Sequence, residues 1–187
     1  MKNVLIAMLT GCISVVGLAN SSISQGKNNV IAFTDLKKFD KSLLAVIPFD
    51  NLIGPDAVPA DEKNVNRKAL KDFKIRFNQV SSAQWFTIAD GFISYFKSVD
   101  DISDRVYYNK KGNWTFTVKT YNEGKLPRDI RAIVKSSNYD LAITLVEEVQ
   151  SIDNLVYIIH MEDKTSIKNI RVSKEGEMDV LEEFTKG

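Results

Sequence analysis

Histidine and cysteine, the side chains most used in acid–base, nucleophilic and metal chemistry, are scarce in this chain of 187 residues. It contains one histidine, His160, and one cysteine, Cys12. A zinc site takes several His, Cys or carboxylate ligands, so a lone histidine does not make one. A Ser-His-Asp arrangement would have to be built around His160, and the sequence has no Gly-x-Ser-x-Gly turn to present the nucleophile. Because His160 lies between Ile159 and Met161, we interpret it as an ordinary strand residue.

The carboxylates give equally weak evidence for a catalytic or metal site. The acidic cluster at residues 100–104 lacks the spacing, the glycine and the terminal glutamate of an EF-hand loop, so we interpret it as a solvated turn. The sequence also lacks a P-loop and a Gly-x-Gly-x-x-Gly fingerprint. We therefore expect no catalytic residues, no metal and no cofactor. Glycoside hydrolysis needs only two carboxylates, so an envelope hydrolase with an unrecognised carboxylate site is the alternative.

Aromatic side chains are the remaining candidates for a functional site. Four of them lie on predicted strands of the first half: Trp85, Tyr95, Tyr107 and Trp114. Most residues of this kind fill a core, but alternation along a strand turns Tyr95 and Tyr107 away from the helix side. Tyrosine often anchors protein interfaces because it buries a large area and keeps a polar handle. The partner-binding residues that we predict on an exposed sheet surface are Ile93, Tyr95, Tyr107 and His160.

Hydrophobic periodicity predicts the elements that position these residues. One helix is predicted over 65–77, with Asn64 as its N-cap, and a second over 128–135. Strand-like alternation follows each helix, at 83–88, 92–98, 104–109 and 114–121, and again at 141–149, 155–161, 166–172 and 178–184. The turn after the third strand of each set carries a glycine, Gly112 or Gly176, in the position that tolerates positive φ.

This order predicts an α+β fold of two tandem repeats, each with one helix packed on a four-stranded antiparallel sheet. The first repeat covers residues 62–125 and the second covers 126–187. One helix covers one face of such a sheet and leaves the other available. The sequence leaves open whether the two sheets join, which would bury the outward aromatic residues between the repeats.

The N-terminal residues predict export. Lys2 precedes an apolar run over 4–16, which is shorter than the roughly 20 residues of a membrane span. Gly17-Leu18-Ala19 matches a small-x-small cleavage pattern. We therefore predict a signal peptide over 1–19, cleaved near Ala19, and a periplasmic or secreted protein.

Lipidation is a second interpretation of the same segment. Leu9-Thr10-Gly11-Cys12 resembles the lipobox of bacterial lipoproteins, so a lipoprotein anchored at Cys12 is the alternative. Removal of the signal peptide leaves no cysteine, and we expect no disulfide in the mature chain. We interpret residues 20–61 as an N-terminal extension and linker that is partly disordered.

The charge balance argues against one class of partner. Lys and Arg number 25 against 24 Asp and Glu, which leaves a net charge of +1. Proteins that bind nucleic acid or anionic membranes through electrostatics carry a basic surface that such a balance does not indicate. We therefore expect a protein or peptide partner in the cell envelope, no nucleic acid, and no membrane span after signal removal.

The order and spacing of these features resemble a known family. The residues that carry the resemblance are the strands at 92–96 and 157–161, the Lys-x-Gly turns at 110–112 and 174–176, Trp85, and Leu126-Pro127. Together they resemble the PepSY-like domain proteins of bacterial cell envelopes, a family similar in fold to the β-lactamase-inhibitor protein. The resemblance covers residues 62–187.

The resemblance implies an exported, non-enzymatic, inhibitor-like module of two helix-plus-sheet units, with no catalytic residues to carry over. The sequence departs from the family in two places. Asn109 stands near the first turn where the family often has an aspartate before the glycine. Residues 31–61 have no counterpart in the family pattern and could be a partner-binding element or a tether.

Overall fold

Two α-helices and nine strands make up the part of the chain that the computed structural model describes, residues 56–98 and 101–187. The predicted signal peptide, the predicted lipidation at Cys12 and the predicted extension before residue 56 lie outside these residues, as does Asp100. In chain order the elements are β1 (Val58–Ala60), α1 (Arg67–Arg76), β2 (Gln84–Ile88), β3 (Gly91–Lys97), β4 (Ser103–Asn109), β5 (Trp114–Tyr121), α2 (Arg128–Ser137), β6 (Ala142–Ser151), β7 (Leu155–Glu162), β8 (Ser166–Ser173) and β9 (Met178–Thr185). Neither helix is long and apolar enough to cross a membrane.

Helix α1 forms where the apolar period predicts it. Ala69 and Phe73, four residues apart on one face, are buried against the sheet. Its N-cap is Asn66, whose side-chain oxygen accepts a hydrogen bond from the backbone N–H of Lys68 at 2.9 Å. The prediction of Asn64 as the cap is wrong, because residues 62–64 form a separate 3-10 turn before the helix.

Helix α2 is held against the sheet by Ile130 and Val134, which are also four residues apart and buried. Pro127 occupies the N-cap position, next to the first turn, where proline is tolerated. The helix ends at Ser137, and the C-cap Asn138 donates from its backbone N–H and from its side-chain amide to the carbonyl oxygen of Val134.

The prediction of two tandem repeats, each with its own four-stranded sheet, is wrong. The strands form one nine-stranded sheet in the order β1 to β9, and each strand pairs antiparallel with its neighbours in the sequence. Strand β5, the last of the predicted first sheet, pairs with β6 from Phe116–Ser151 to Tyr121–Val146. A strand at the end of a sheet has unpaired backbone groups on one side, and this pairing satisfies them.

Both helices lie on one face of the sheet. Val106, in the core beneath α1, pairs with Thr117 on β5. Tyr121, four residues further along β5 and so on the same face, belongs to the core beneath α2. We call the side that carries the helices the helix face and the opposite side the distal face.

The turn glycines confirm the predicted backbone conformation and bring the hairpins close to the helices. Gly112 has a φ of 74° and Gly176 a φ of 92°, a region that residues with a side chain seldom adopt. A Cβ at Gly112 would lie 2.6 Å from Oδ1 of Asn66, and one at Gly176 would lie 2.8 Å from Cδ1 of Ile133. The first turn therefore packs against α1 and the second against α2.

Candidate functional site

The distal face carries an aromatic cluster on strands β2 to β6. Its members are Phe86, Ile88, Ile93, Tyr107, Phe116, Val118 and Val149. Ile93 pairs with Tyr107 across β3 and β4, and Tyr107 pairs with Phe116 across β4 and β5. The rings of Tyr107 and Phe116 stack with centroids 4.2 Å apart and planes inclined by 19°. Stacked aromatic pairs add to the stabilisation that burial alone provides.

Strand register places all four predicted partner-binding residues on the distal face. Ile93 and Tyr107 belong to the aromatic cluster, and Tyr95 lies beside it, opposite Arg105. His160 lies on β7, further across the same face. The structure therefore brings the first three together and places the fourth on a neighbouring part of the face. Their role in partner binding stays a prediction.

Ile93 and Tyr107 are not the exposed residues that we expected. Their side chains are 3% and 7% exposed, whereas Tyr95 and Phe116 are half-buried. Alternation fixes the direction in which a side chain points, but it does not fix what packs beside it, and here the Phe116 ring stacks on Tyr107. Burial raises the pKa of the Tyr107 hydroxyl above its usual value, so this tyrosine stays neutral.

A network of buried ionisable side chains continues the distal face beyond the aromatic cluster. The guanidinium of Arg105, 1% exposed, donates from Nη2 to Oε1 of Glu147 at 2.7 Å and to the hydroxyl of Thr120 at 3.2 Å. Nε2 of His160 lies 3.4 Å from the other carboxylate oxygen of Glu147. We call Arg105, Glu147 and His160 the charged network.

Burial and charge act in opposite directions on the carboxyl group of Glu147. Burial raises its pKa, but the hydrogen bond with His160 and the nearby charge of Arg105 outweigh this, so the pKa lies below its usual value. Glu147 is therefore ionised at neutral pH. The distal face thus holds a largely buried pair of opposite charges, Arg105 and Glu147, next to the aromatic cluster.

Both carboxylate oxygens of Glu147 have partners within the charged network, Arg105 on one and His160 on the other. Within residues 56–98 and 101–187, no group of three or more His, Cys, Asp or Glu side chains is placed to hold a metal ion.

Sequence reasoning missed Glu147 and Phe116 as site residues. Glu147 follows the apolar pair Leu145 and Val146 on β6, and a charge on a strand that packs on both faces is a signal that it has a buried partner. Phe116 is two residues from Trp114 on β5, so strict alternation predicts the same face for both, but the pairing of β4 with β5 shifts register between Tyr107 and Tyr108 and puts them on opposite faces. The signal for Glu147 is visible in the sequence, whereas the position of Phe116 depends on how the strands pair.

Cavities beside α1 do not reach this face. One of about 380 Å³ is lined by Arg67, Leu70, Lys71, Lys74 and Ile75. Another, of about 150 Å³, lies between α1 and β2, and Phe73 and Trp85 help to line it. Glu62 is the one carboxylate among the residues that line these two cavities.

No family model matches the chain, and no curated protein matches it either. Solved structures do match. A BLIP-like protein from Bacteroides fragilis, where BLIP denotes the β-lactamase-inhibitor protein, has a TM-score of 0.56 and 14% identity and covers 68% of this chain and 94% of its own. A DUF2874 family protein from Bacteroides ovatus has a TM-score of 0.56 and 14% identity, and the match covers 67% of this chain and 89% of that one.

A third match extends the same group. A proposed periplasmic protein from Bacteroides eggerthii has a TM-score of 0.54 and 14% identity, and the match covers 65% of this chain and 88% of that one. Likeness at this level of identity shows the fold and not the function. The single antiparallel sheet with its two helices is a BLIP-like fold.

Proposed function

We propose that the protein is an exported, non-enzymatic, PepSY-like module that binds a protein or peptide partner through the distal face, in the manner of an inhibitor. The observation that carries the proposal is the aromatic cluster, which lies beside the charged network on the side of the sheet away from both helices. An apolar centre next to fixed charges is the usual composition of a protein-binding surface.

Export is supported by the predicted signal peptide and by the description of the Bacteroides eggerthii protein as periplasmic. The periplasm is accordingly the location that we propose. Anchoring at Cys12 would keep the same module in the envelope, attached to a lipid.

Binding is supported by the kinds of side chain that the distal face presents. Tyrosine and phenylalanine are enriched where protein partners meet, because they bury a large area. Tyr95 and Phe116 are accessible enough to be contacted directly, whereas Tyr107 supports Phe116 from below by stacking. The partner would therefore contact Tyr95 and Phe116 first.

An envelope hydrolase is the alternative, and the arrangement of Glu147 argues against it. Hydrolysis by a pair of carboxylates needs one that donates a proton and one that attacks or activates water. Glu147 is held ionised, so it does not suit the proton-donating role, and within the charged network its partners are Arg105 and His160 rather than a second carboxylate.

The experiment is capture of partners from an envelope extract by the wild-type chain and by a Tyr95→Ala, Phe116→Ala variant. We expect recovery of the bound partner to fall by at least about tenfold in the variant, because a few aromatic anchors carry most of the energy of an interface. The matched control is Tyr139→Ala with Ile152→Ala, which removes two exposed apolar side chains outside the distal face.

Equal recovery by all three proteins, with thermal unfolding showing that each is folded, would mean that the distal face is not the binding surface. The mass of the captured partner separates the two candidate functions. An intact partner supports binding, and a partner cut at a defined bond supports the hydrolase.

A further inference from the structure

Positive charge is concentrated on the outward side of helix α1. Four exposed cations lie there beside Ile75, whose side chain is 68% exposed: Arg67, Lys68, Lys71 and Lys74. At 3.6 residues per turn, these five residues occupy the side of the helix opposite to the one that packs on the sheet. We call them the basic face of α1.

Most of these cations lack a carboxylate partner. Lys68 donates a hydrogen bond to the side-chain oxygen of Asn113, and Asp72, the one acidic residue of α1, pairs with Arg76 at 2.8 Å. Among the residues that the structure describes, no carboxylate pairs with the other three cations of the basic face, Arg67, Lys71 and Lys74.

The arrangement of these charges disfavours the helix that carries them. The first turn of α1 holds Arg67 and Lys68 and no acidic residue, although the N-terminal end of a helix dipole favours negative charge. Like charges four residues apart, such as those of Arg67 and Lys71, repel each other on a helix surface. The basic face therefore costs the free protein stability, which an external anion would restore.

Helix α2 shows that the fold does not require such a face. Its first turn contains Asp129, and Arg131 pairs with Glu123 at 2.7 Å. Lys135 donates to backbone carbonyl oxygens just beyond the end of the helix. Both helices pack on the same side of the sheet, so the excess of cations is a property of α1 alone.

A cavity of about 380 Å³ opens within the basic face. It is lined by Arg67, Leu70, Lys71, Lys74 and Ile75. The first four stand at positions i, i+3, i+4 and i+7, which surround the hole that a side chain of a facing helix enters in knobs-into-holes packing. Leu70 and the hydrocarbon stems of the cations make the walls of this hole apolar, while the charged ends stay at its rim.

We propose that the basic face of α1 docks an acidic amphipathic helix of a partner protein. One apolar side chain of that helix fills the hole, and carboxylates on the adjacent turns pair with the surrounding cations. An anionic bilayer would also attract the cations, but it has no side chain to place in the hole, so the geometry favours a helix.

This docking site is separate from the distal face, because the helices and the aromatic cluster lie on opposite sides of the sheet. The inference therefore goes beyond the proposed function. Loss of partner capture in the Tyr95→Ala, Phe116→Ala variant concerns the distal face and leaves this inference unaffected.

The probe for the test is a dye-labelled, alanine-based helical peptide of about 20 residues. It carries one central leucine and a glutamate three and four residues to either side, which places all five on one face. Binding to the full chain is measured by fluorescence anisotropy at peptide concentrations up to about 1 mM, the range of a weak complex. One control peptide has glutamine in place of glutamate, and another has alanine in place of leucine.

We expect the first peptide to bind and both controls to bind at least about fivefold more weakly, because each lacks one part of the contact. Lys71→Gln with Lys74→Gln should weaken binding by a similar factor. The urea midpoint of this variant should be unchanged or higher, since repulsion within α1 falls. The matched control, Lys164→Gln with Lys174→Gln, removes two exposed lysines elsewhere and should bind as the wild type does.

Three results would overturn the inference. Absence of peptide binding would show that the basic face accepts no acidic helix. Equal binding of the leucine and alanine peptides would reduce the contact to charge attraction without use of the hole. Sedimentation with vesicles that contain phosphatidylglycerol, lost in the Lys71→Gln, Lys74→Gln variant and with no peptide binding, would assign the basic face to a membrane surface.

Discussion

At the scale of single residues, Arg105 is the side chain whose burial is hardest to account for by packing alone. Its guanidinium is enclosed in the sheet face and lies 2.7 Å from the carboxylate of Glu147. Removing two charges from water costs several kcal/mol for each ion, and the attraction between the two charges offsets most of that cost. The pair therefore adds little net stability, but either partner left alone would be costly.

This balance gives the first prediction, for Arg105→Met. The substitution should lower the free energy of unfolding by about 3–5 kcal/mol, because it leaves Glu147 buried without its cation. Adding Glu147→Met should restore most of that loss, because two apolar side chains then replace the pair. Urea unfolding at neutral pH measures both values.

A surface pair provides the control for this prediction. Arg131 lies 2.7 Å from Glu123, but both side chains are partly exposed, so Arg131→Met should cost less than about 1 kcal/mol. A double Arg105→Met, Glu147→Met variant that is no more stable than the single variant would show that Arg105 acts through its packing rather than through its charge.

At the scale of helices and strands, local pattern predicts most of what the structure contains. Strand β5 has the predicted bounds, and α2 begins at the predicted residue, since alternation and the helical period depend only on nearby residues. Val58–Ala60 forms a strand in a stretch that its proline marks as a linker. Proline is tolerated at a sheet edge, so a proline in this stretch does not distinguish a linker from an edge strand.

The two turn glycines give the second prediction. Both Gly112→Ala and Gly176→Ala should destabilise the protein, because a left-handed conformation costs a residue with a side chain about 1–2 kcal/mol. Gly112→Ala should cost about 1 kcal/mol more, because its Cβ would also displace the side chain that caps α1. The Cβ at Gly176 meets only the end of the Ile133 side chain, which can rotate.

Urea midpoints of the two alanine variants measure this difference. A Gly112→Thr variant should be worse than Gly112→Ala, because a β-branched side chain is still less tolerant of positive φ. Equal costs for Gly112→Ala and Gly176→Ala would mean that the cap at Asn66 adjusts freely and that the first turn does not help to fix α1.

At the scale of the whole molecule, the join between β5 and β6 creates the candidate site. Arg105 lies in the first predicted repeat, whereas Glu147 and His160 lie in the second. Sequence reasoning could assign Arg105 and His160 to the distal side from alternation within each strand. It could not bring them together through Glu147, because pairing between distant strands leaves no mark on the local pattern.

A continuous sheet also predicts how the molecule unfolds. Both tryptophans, Trp85 and Trp114, lie on strands before α2, so tryptophan fluorescence reports on that half, whereas far-ultraviolet circular dichroism reports on all the secondary structure. Because β5 and β6 pair along six residues of register, the halves should unfold as one cooperative unit.

The decisive variant is Ile130→Ala, in α2, because Ile130 belongs to a different core cluster from both tryptophans. The substitution leaves a cavity beneath α2, where Ile130 is buried, and should cost about 2–5 kcal/mol. We expect the fluorescence midpoint in urea to fall as far as the circular dichroism midpoint does.

The control is Ile152→Ala, at an exposed position in the same half, which should change neither midpoint. A fall in the circular dichroism midpoint with no change in fluorescence would mean that the halves unfold separately, as two independent sheets would, and that the pairing of β5 with β6 does not couple them.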